Sequence, residues 1–136
     1  MNYTNTGKIL WSDSQAIAER KFGNFVFLNN RIHGAYWIDF QKATNNQGKH
    51  DITNFVFCGN FVDFLRLDHG YIGNIVVDGN TFTDGGFATY AVSMDSVVVR
   101  NNTFVNGCLH VTSTNVRAFC DISNNVINHV TATAGL

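Results

Sequence analysis

The chain has no proline and a single glutamate, Glu19, against nine aspartates. Proline cannot donate to a β-ladder, so its absence suits a backbone whose N–H groups feed sheets. Strong helix formers are scarce, while Val, Ile, Phe and Thr abound, which favours strands. Charged residues make up only 14% and the net charge is −1, so the basic patch of a nucleic-acid binder is missing. No apolar run reaches the roughly 18 residues of a transmembrane helix. The opening MNYTNTGKIL lacks the charged-then-apolar layout of a secretory signal. Three cysteines, Cys58, Cys108 and Cys120, are odd in number and far apart. They fit neither a disulfide framework nor a zinc spacing and read as small buried hydrophobes. No His or carboxylate pair has a metal-binding spacing, so neither a metal nor a cofactor is expected.

What is present is asparagine, and it recurs. In GNIVVDGNTFTDGG (73–86), Asp-Gly between apolar runs reads in isolation as a hairpin turn. Five segments carry the same pattern: NFVFLNNRI (24–32), NFVFCGNFV (54–62), NIVVDGNTF (74–82), SVVVRNNTF (96–104) and FCDISNNVI (119–127). Their anchors are Asn30, Asn60, Asn80, Asn102 and Asn125, at intervals of 30, 20, 22 and 23 residues. The last unit reads as shifted by one at its leading end. Repeats at such periods mark a solenoid. Asn tolerates left-handed backbone angles. Its amide can bond the coils above and below, as in stacked cross-β ladders. The preceding Asn29, Gly59, Gly79, Asn101 and Asn124 suit the same positive-φ corner.

Each coil leaves room for a further strand, with AYWIDF (35–40), FLRLD (64–68), ATYAVSM (88–94) and LHVTS (109–113) as candidates. The polar insertion KATNNQGKH (42–50) reads as a projecting loop. Segment SDSQAIAERK (12–21) has the Ser-x-x-Gln pattern of a capping box and predicts a short helix that lids the first coil. The alternative is a degenerate coil. The expected organisation is an N-terminal segment, 1–22, followed by a solenoid over 23–136. The terminal HVTATAGL shows no cap, and solenoids need one or a partner.

Over about residues 23–130 this pattern resembles the right-handed parallel β-helix of pectate-lyase-like proteins and phage tailspikes. The resemblance implies an all-β, single-stranded solenoid of about five coils, with its Asn ladder at the bend between the second and third sheets. It also implies side-by-side trimers and a glycan bound along one outer sheet. The fold alone does not choose among lyases, hydrolases, adhesins and inert spikes.

Side chains alternate faces along a strand. With Ile38, Phe40, Leu65, Leu67, Leu109, Val111, Tyr90, Val92 and Met94 inward, one outer face carries Trp37, Asp39, Arg66, Asp68, Ser93 and His110, with His69 at its edge. Trp37, Arg66, His69 and His110 are the expected glycan contacts, since an aromatic ring stacks on a pyranose and polar groups bond its hydroxyls. Asp39 and Asp68, one coil apart, would lie about 5 Å or more from each other, a range that spans both glycosidase geometries. They are the catalytic candidates if the chain is an enzyme. The bland alternative is that these groups solvate the surface, with Arg66 pairing an Asp at little gain. Trp37, Phe64 and Phe87, lacking an inward place, suit a subunit interface. Asp78, Asp84 and Asp121 read as turn formers.

Three functions follow. The first is a homotrimeric phage-type spike module that recognises a bacterial surface polysaccharide, in a virion tail or outside the cell. The second is a depolymerase, lyase or hydrolase, acting on that glycan. The third is a purely structural virion or cell-surface assembly protein. None calls for nucleic acid or membrane insertion.

Overall fold

A computed structural model describes residues 4–5, 8–11, 22–39 and 52–128. The expected helix over 12–21 and loop over 42–50 lie outside the described residues, as do the side chains of 35–40. The strands are β1 (Thr4–Asn5), β2 (Lys8–Trp11), β3 (Phe22–Leu28), β4 (Arg31–Asp39), β5 (Ile52–Cys58) and β6 (Phe61–Asp68). They continue with β7 (Tyr71–Asp78), β8 (Thr81–Arg100), β9 (Thr103–Phe104), β10 (Gly107–Ser123) and β11 (Val126–Ile127). Every pairing among them is parallel. The protein is an all-β parallel solenoid, with no helix among the described residues and about three turns rather than the expected five.

The register follows the sequence repeat. Asn24 pairs with Asn54, Asn54 with Asn74, Asn74 with Ser96, and Ser96 with Phe119. The last unit is in phase with the others from Phe119 on, and a one-residue register irregularity lies just ahead of it, between Val116 and Phe119. Each turn has three sides. The first holds β3, β5, β7 and residues 93–100 and 119–123. The second is the short stretch after each Asn corner, as in 61–62 and 81–82. The third holds 35–39, 64–68, 86–90 and 107–111. Ile75–Val77 pairs with Val97–Val99 of the next coil and not with Thr81–Phe82, so 73–86 is a rung and not a hairpin.

Inward side chains from the three sides fill the axis. Phe55, Phe57, Val62, Leu65, Leu67, Ile75, Val77, Phe82, Val97, Val99 and Phe104 are fully buried. The rings of Phe82 and Phe104 stack at 4.9 Å with 8° between their planes. Burying such a side chain contributes roughly 1.5–3 kcal/mol, so one uninterrupted apolar column holds the coils on one axis. At the last described rung the column is open. Ile122, in register with the fully buried Val99, is 48% exposed.

The polar counterpart is a ladder of asparagines. Each Asn donates its backbone N–H and its Nδ2 to Oδ1 of the Asn one coil on. For Asn60 to Asn80 these distances are 2.8 and 3.1 Å, and for Asn80 to Asn102 both are 2.9 Å. The other Nδ2 proton reaches back to a carbonyl of the preceding coil, from Asn80 to Phe57 at 2.8 Å and from Asn102 to Val77 at 2.9 Å. Asn30 and Asn125 extend the same series at the ends. Asn60, Asn80 and Asn102 are buried. No buried side-chain polar atom among the described residues lacks a partner. The left-handed backbone falls on the residue before each ladder position, at Asn29, Gly59, Gly79, Asn101 and Asn124, and not on the ladder Asn itself. The two positions divide the work: one makes the bend, the other satisfies the polar groups that the bend exposes.

Several expectations are corrected. Tyr90 points outward, because β8 turns a corner just after it. Phe87 and Thr89 face the core before the corner, and Val92 and Met94 face it after. One alternation read across 88–94 therefore spans two sides. Phe87 is fully buried in the core and belongs to no interface. Cys58 and Cys108 are half-buried and Cys120 is exposed, because the first is outward on its strand and the last lies on the terminal rung. Asp84-Gly85-Gly86 forms another corner, with φ of 89° at both glycines. A Cβ on Gly86 would lie 2.0 Å from the carbonyl oxygen of Cys108.

Substitutions at these corners test their roles. Asn80→Ala removes the acceptor of the Asn60 N–H and of one Asn60 Nδ2 proton, the side-chain donor to Phe57 O, and one of the two donors to Asn102 Oδ1, which keeps the backbone N–H of residue 80. At about 1–3 kcal/mol per buried unsatisfied group, it lowers the unfolding free energy by roughly 3 kcal/mol or more in chemical denaturation. Asn30→Ala, at the first described rung, costs less. At the same corner, Gly79→Asn is nearly neutral by thermal melting. A Cβ there meets nothing within 4 Å, and Asn already occupies the equivalent 29, 101 and 124. Gly86→Ala prevents a native melt.

Candidate functional site

The third side carries the residues singled out in the sequence. Trp37, Arg66, Ala88 and His110 occupy one register column, and Asp39, Asp68 and Tyr90 the next. Successive rungs lie about 4.8 Å apart, so the solenoid sets residues 29 and 22 positions apart in sequence side by side. Ser93 is not among them. It follows the corner, pairs with Tyr71, and donates its N–H to Gly70 O at 2.9 Å on the edge of the first side.

Two described side chains, Arg66 and His69, meet at one ring, that of Tyr90. Tyr90 is 55% exposed. The Arg66 guanidinium stands over that ring, with Cζ 5.6 Å from its centroid. His69 meets the ring edge-on, with centroids 5.8 Å apart and planes at 89°. His69 is held there by its backbone. It sits at φ 55°, Gly70 follows at 83°, and the His69 N–H donates to Tyr90 O at 2.8 Å. A left-handed non-glycine residue costs free energy unless its surroundings impose it. Here the corner imposes it and places the imidazole beside the ring.

Asp68 differs from its expected role. It is 1% exposed. Arg66 Nε donates to its Oδ1 at 2.6 Å, from two residues earlier on the same strand. A carboxylate this covered, bonded to the arginine of its own strand, reads as a group that holds Arg66 in place. His110 is half-buried beside Ala88. Trp37 and Asp39 are placed by register, and their side chains lie outside the described residues. Sequence reasoning missed Tyr90 because it took 88–94 as one strand. The signal was the His69-Gly70 pair one coil earlier, a corner dipeptide directly in register with the residues after Tyr90.

Two other outward features were also missed. On the first side, Asn54 Nδ2 donates to Asn24 Oδ1 at 2.6 Å, Asn74 Nδ2 to Asn54 Oδ1 at 2.8 Å, and Ser96 Oγ to Asn74 Oδ1 at 2.6 Å. This second, exposed ladder runs beside an outward valine column, Val26, Val56, Val76 and Val98. Close by, Asp78 accepts from Asn101 Nδ2 and from Arg100 Nε, both at 2.9 Å. The Asn101 hydrogen bond, joined by the Arg100 bond and charge, holds the Asp78 carboxyl below its ordinary value. Burial pushes the neighbouring Cys58 thiol up, so it resists ionisation.

Among the described residues no three His, Cys, Asp or Glu side chains cluster as metal ligands. No helix there is long and apolar enough to cross a membrane. Compared with protein-family models, curated proteins and solved structures, the chain matches none.

Because the folded state depresses the Asp78 pKa, its contribution is present above the unfolded value, ordinarily 3.8, and is lost as pH falls through the lower folded value. Melting temperature therefore declines as pH falls below about 4. In Asp78→Asn that part of the decline is missing, as a pH series of thermal melts of both proteins will show.

Proposed function

We propose that this chain is a β-helix module of the phage-tailspike, pectate-lyase-like kind that recognises a bacterial surface polysaccharide on its third side. It works as a homotrimer in a virion tail or outside the cell. The observation that carries the reading is the exposed Tyr90 ring, steadied by Arg66 and His69, on a parallel sheet that also bears Trp37 and His110. An aromatic face beside planar donors matches the alternating C–H and hydroxyl surfaces of a sugar. Polar groups fixed on rigid rungs need little ordering on binding.

The burial of Asp68 favours recognition over cleavage. A depolymerase would have to rely on Asp39, whose variant Asp39→Asn tests that reading. The outward valine column of the first side favours an assembly role alongside recognition, since trimers need an apolar face.

The test combines light scattering with glycan incubation. The expected result is a particle of three chains that retains capsular or O-antigen polysaccharide without shortening it. A monomer would sink the trimeric reading. Shortened glycan that survives in wild type and vanishes in Asp39→Asn would replace recognition by depolymerisation.

A further inference from the structure

Resting on the trimeric reading above, we infer that the first side is the surface that one subunit sets against the next, with the outward valines as its centre. A sheet face left to water carries polar residues at its outward positions. Here the outward column through the middle of the face is valine on four successive rungs, Val26, Val56, Val76 and Val98. Val26 is 53% exposed, and so is Leu28 beside it on the same rung. Branched side chains on rungs about 4.8 Å apart make a continuous ridge, unlike the single apolar residues scattered over most surfaces.

The polar groups around that ridge bond one another. On one flank the amide ladder links Asn54 to Asn24, Asn74 to Asn54 and Ser96 to Asn74. On the other flank Arg100 Nε donates to Asp78 at 2.9 Å, and the Asp121 charge also bears on Arg100. Polar groups already paired cost less to cover than free ones. These charges stand beside a corner and on the last rung, as the polar rim of an interface does. The five rungs, about 4.8 Å apart, and strands of about seven residues at 3.3 Å each give a face of roughly 550 Å². Set against an equal area of a neighbour, it removes roughly 1,100 Å² from water, and a lasting interface needs about 1,000 Å² or more. Packing through the first side leaves the third side, with its exposed Tyr90, open to a glycan.

The experiment follows particle mass by light scattering on the full chain through a dilution series. It compares the wild type with Val76→Lys, the milder double variant Val56→Thr/Val76→Thr, and Tyr90→Ala on the third side. Far-ultraviolet circular dichroism checks that each keeps the wild-type spectrum. Cys58, half-buried in the column next to the valines, adds a readout that needs no variant: the rate of its alkylation, read by peptide mass. The expected result is three chains for the wild type and Tyr90→Ala, and one chain for Val76→Lys. The double variant dissociates at a protein concentration at least tenfold higher than the wild type, and Cys58 alkylation speeds at least tenfold on dilution. Should Val76→Lys fail to fold, the double variant and Cys58 decide. A trimer that the valine variants leave intact, with Cys58 equally reactive before and after dilution, would overturn the first-side interface and leave the trimer standing. A wild type of one chain at every concentration would overturn the trimeric reading, and this inference with it.

Discussion

The structure depends on a hydrogen bond from one asparagine amide to the next. A parallel solenoid must bend its backbone three times per turn, and each bend turns N–H and carbonyl groups toward the interior. A buried, unpartnered backbone group is costly. The ladder removes that cost with one side chain per coil. Oδ1 takes two protons from the coil before, and Nδ2 gives one forward and one back. The apolar column contributes more free energy, but it sets no register, since one phenylalanine stacks on another with latitude. The ladder sets the register: a slip of one residue would break every link at once.

Given that frame, the corners decide where chemistry can sit. The Asn corner is uniform, a left-handed residue followed by the ladder. The corner after the third side is not. In one coil it is His69-Gly70, and in the next it falls just after Tyr90. This freedom brings an imidazole, a guanidinium and an exposed ring together. Ladder positions are spent on holding the coils, while the third side and its corner remain available for recognition.

The repeat was legible because its cause is local. An apolar alternation followed by a bend residue and Asn can be read within nine residues, and the pairings Asn24–Asn54–Asn74–Ser96–Phe119 reproduce the alignment of those segments. The third side was legible only in part. Leu65 and Leu67 follow their expected inward places, and Trp37, Arg66 and His110 share a column. Tyr90 and Phe87 were misplaced because their facing is set by a corner with no Asn to mark it. The burial of Asp68 was illegible for another reason. Alternation says which side a residue takes, not what covers it. The second ladder, through Asn24, Asn54 and Asn74, stood in the quoted repeat but was hidden by attention to the anchor positions.

The amide column also has a sense. Every link runs head to tail, donor forward and acceptor behind, from Asn30 through Asn60, Asn80 and Asn102 to Asn125. Any coil therefore offers its neighbours the same pair of sockets. The spacing between anchors is 20 residues in one place and 23 in another, yet the joint is unchanged. A whole coil could be duplicated or removed in evolution, and Asn60 would dock on Asn102 as it now docks on Asn80. The chain is punctuated so that its sentences can be lengthened without rewriting its grammar.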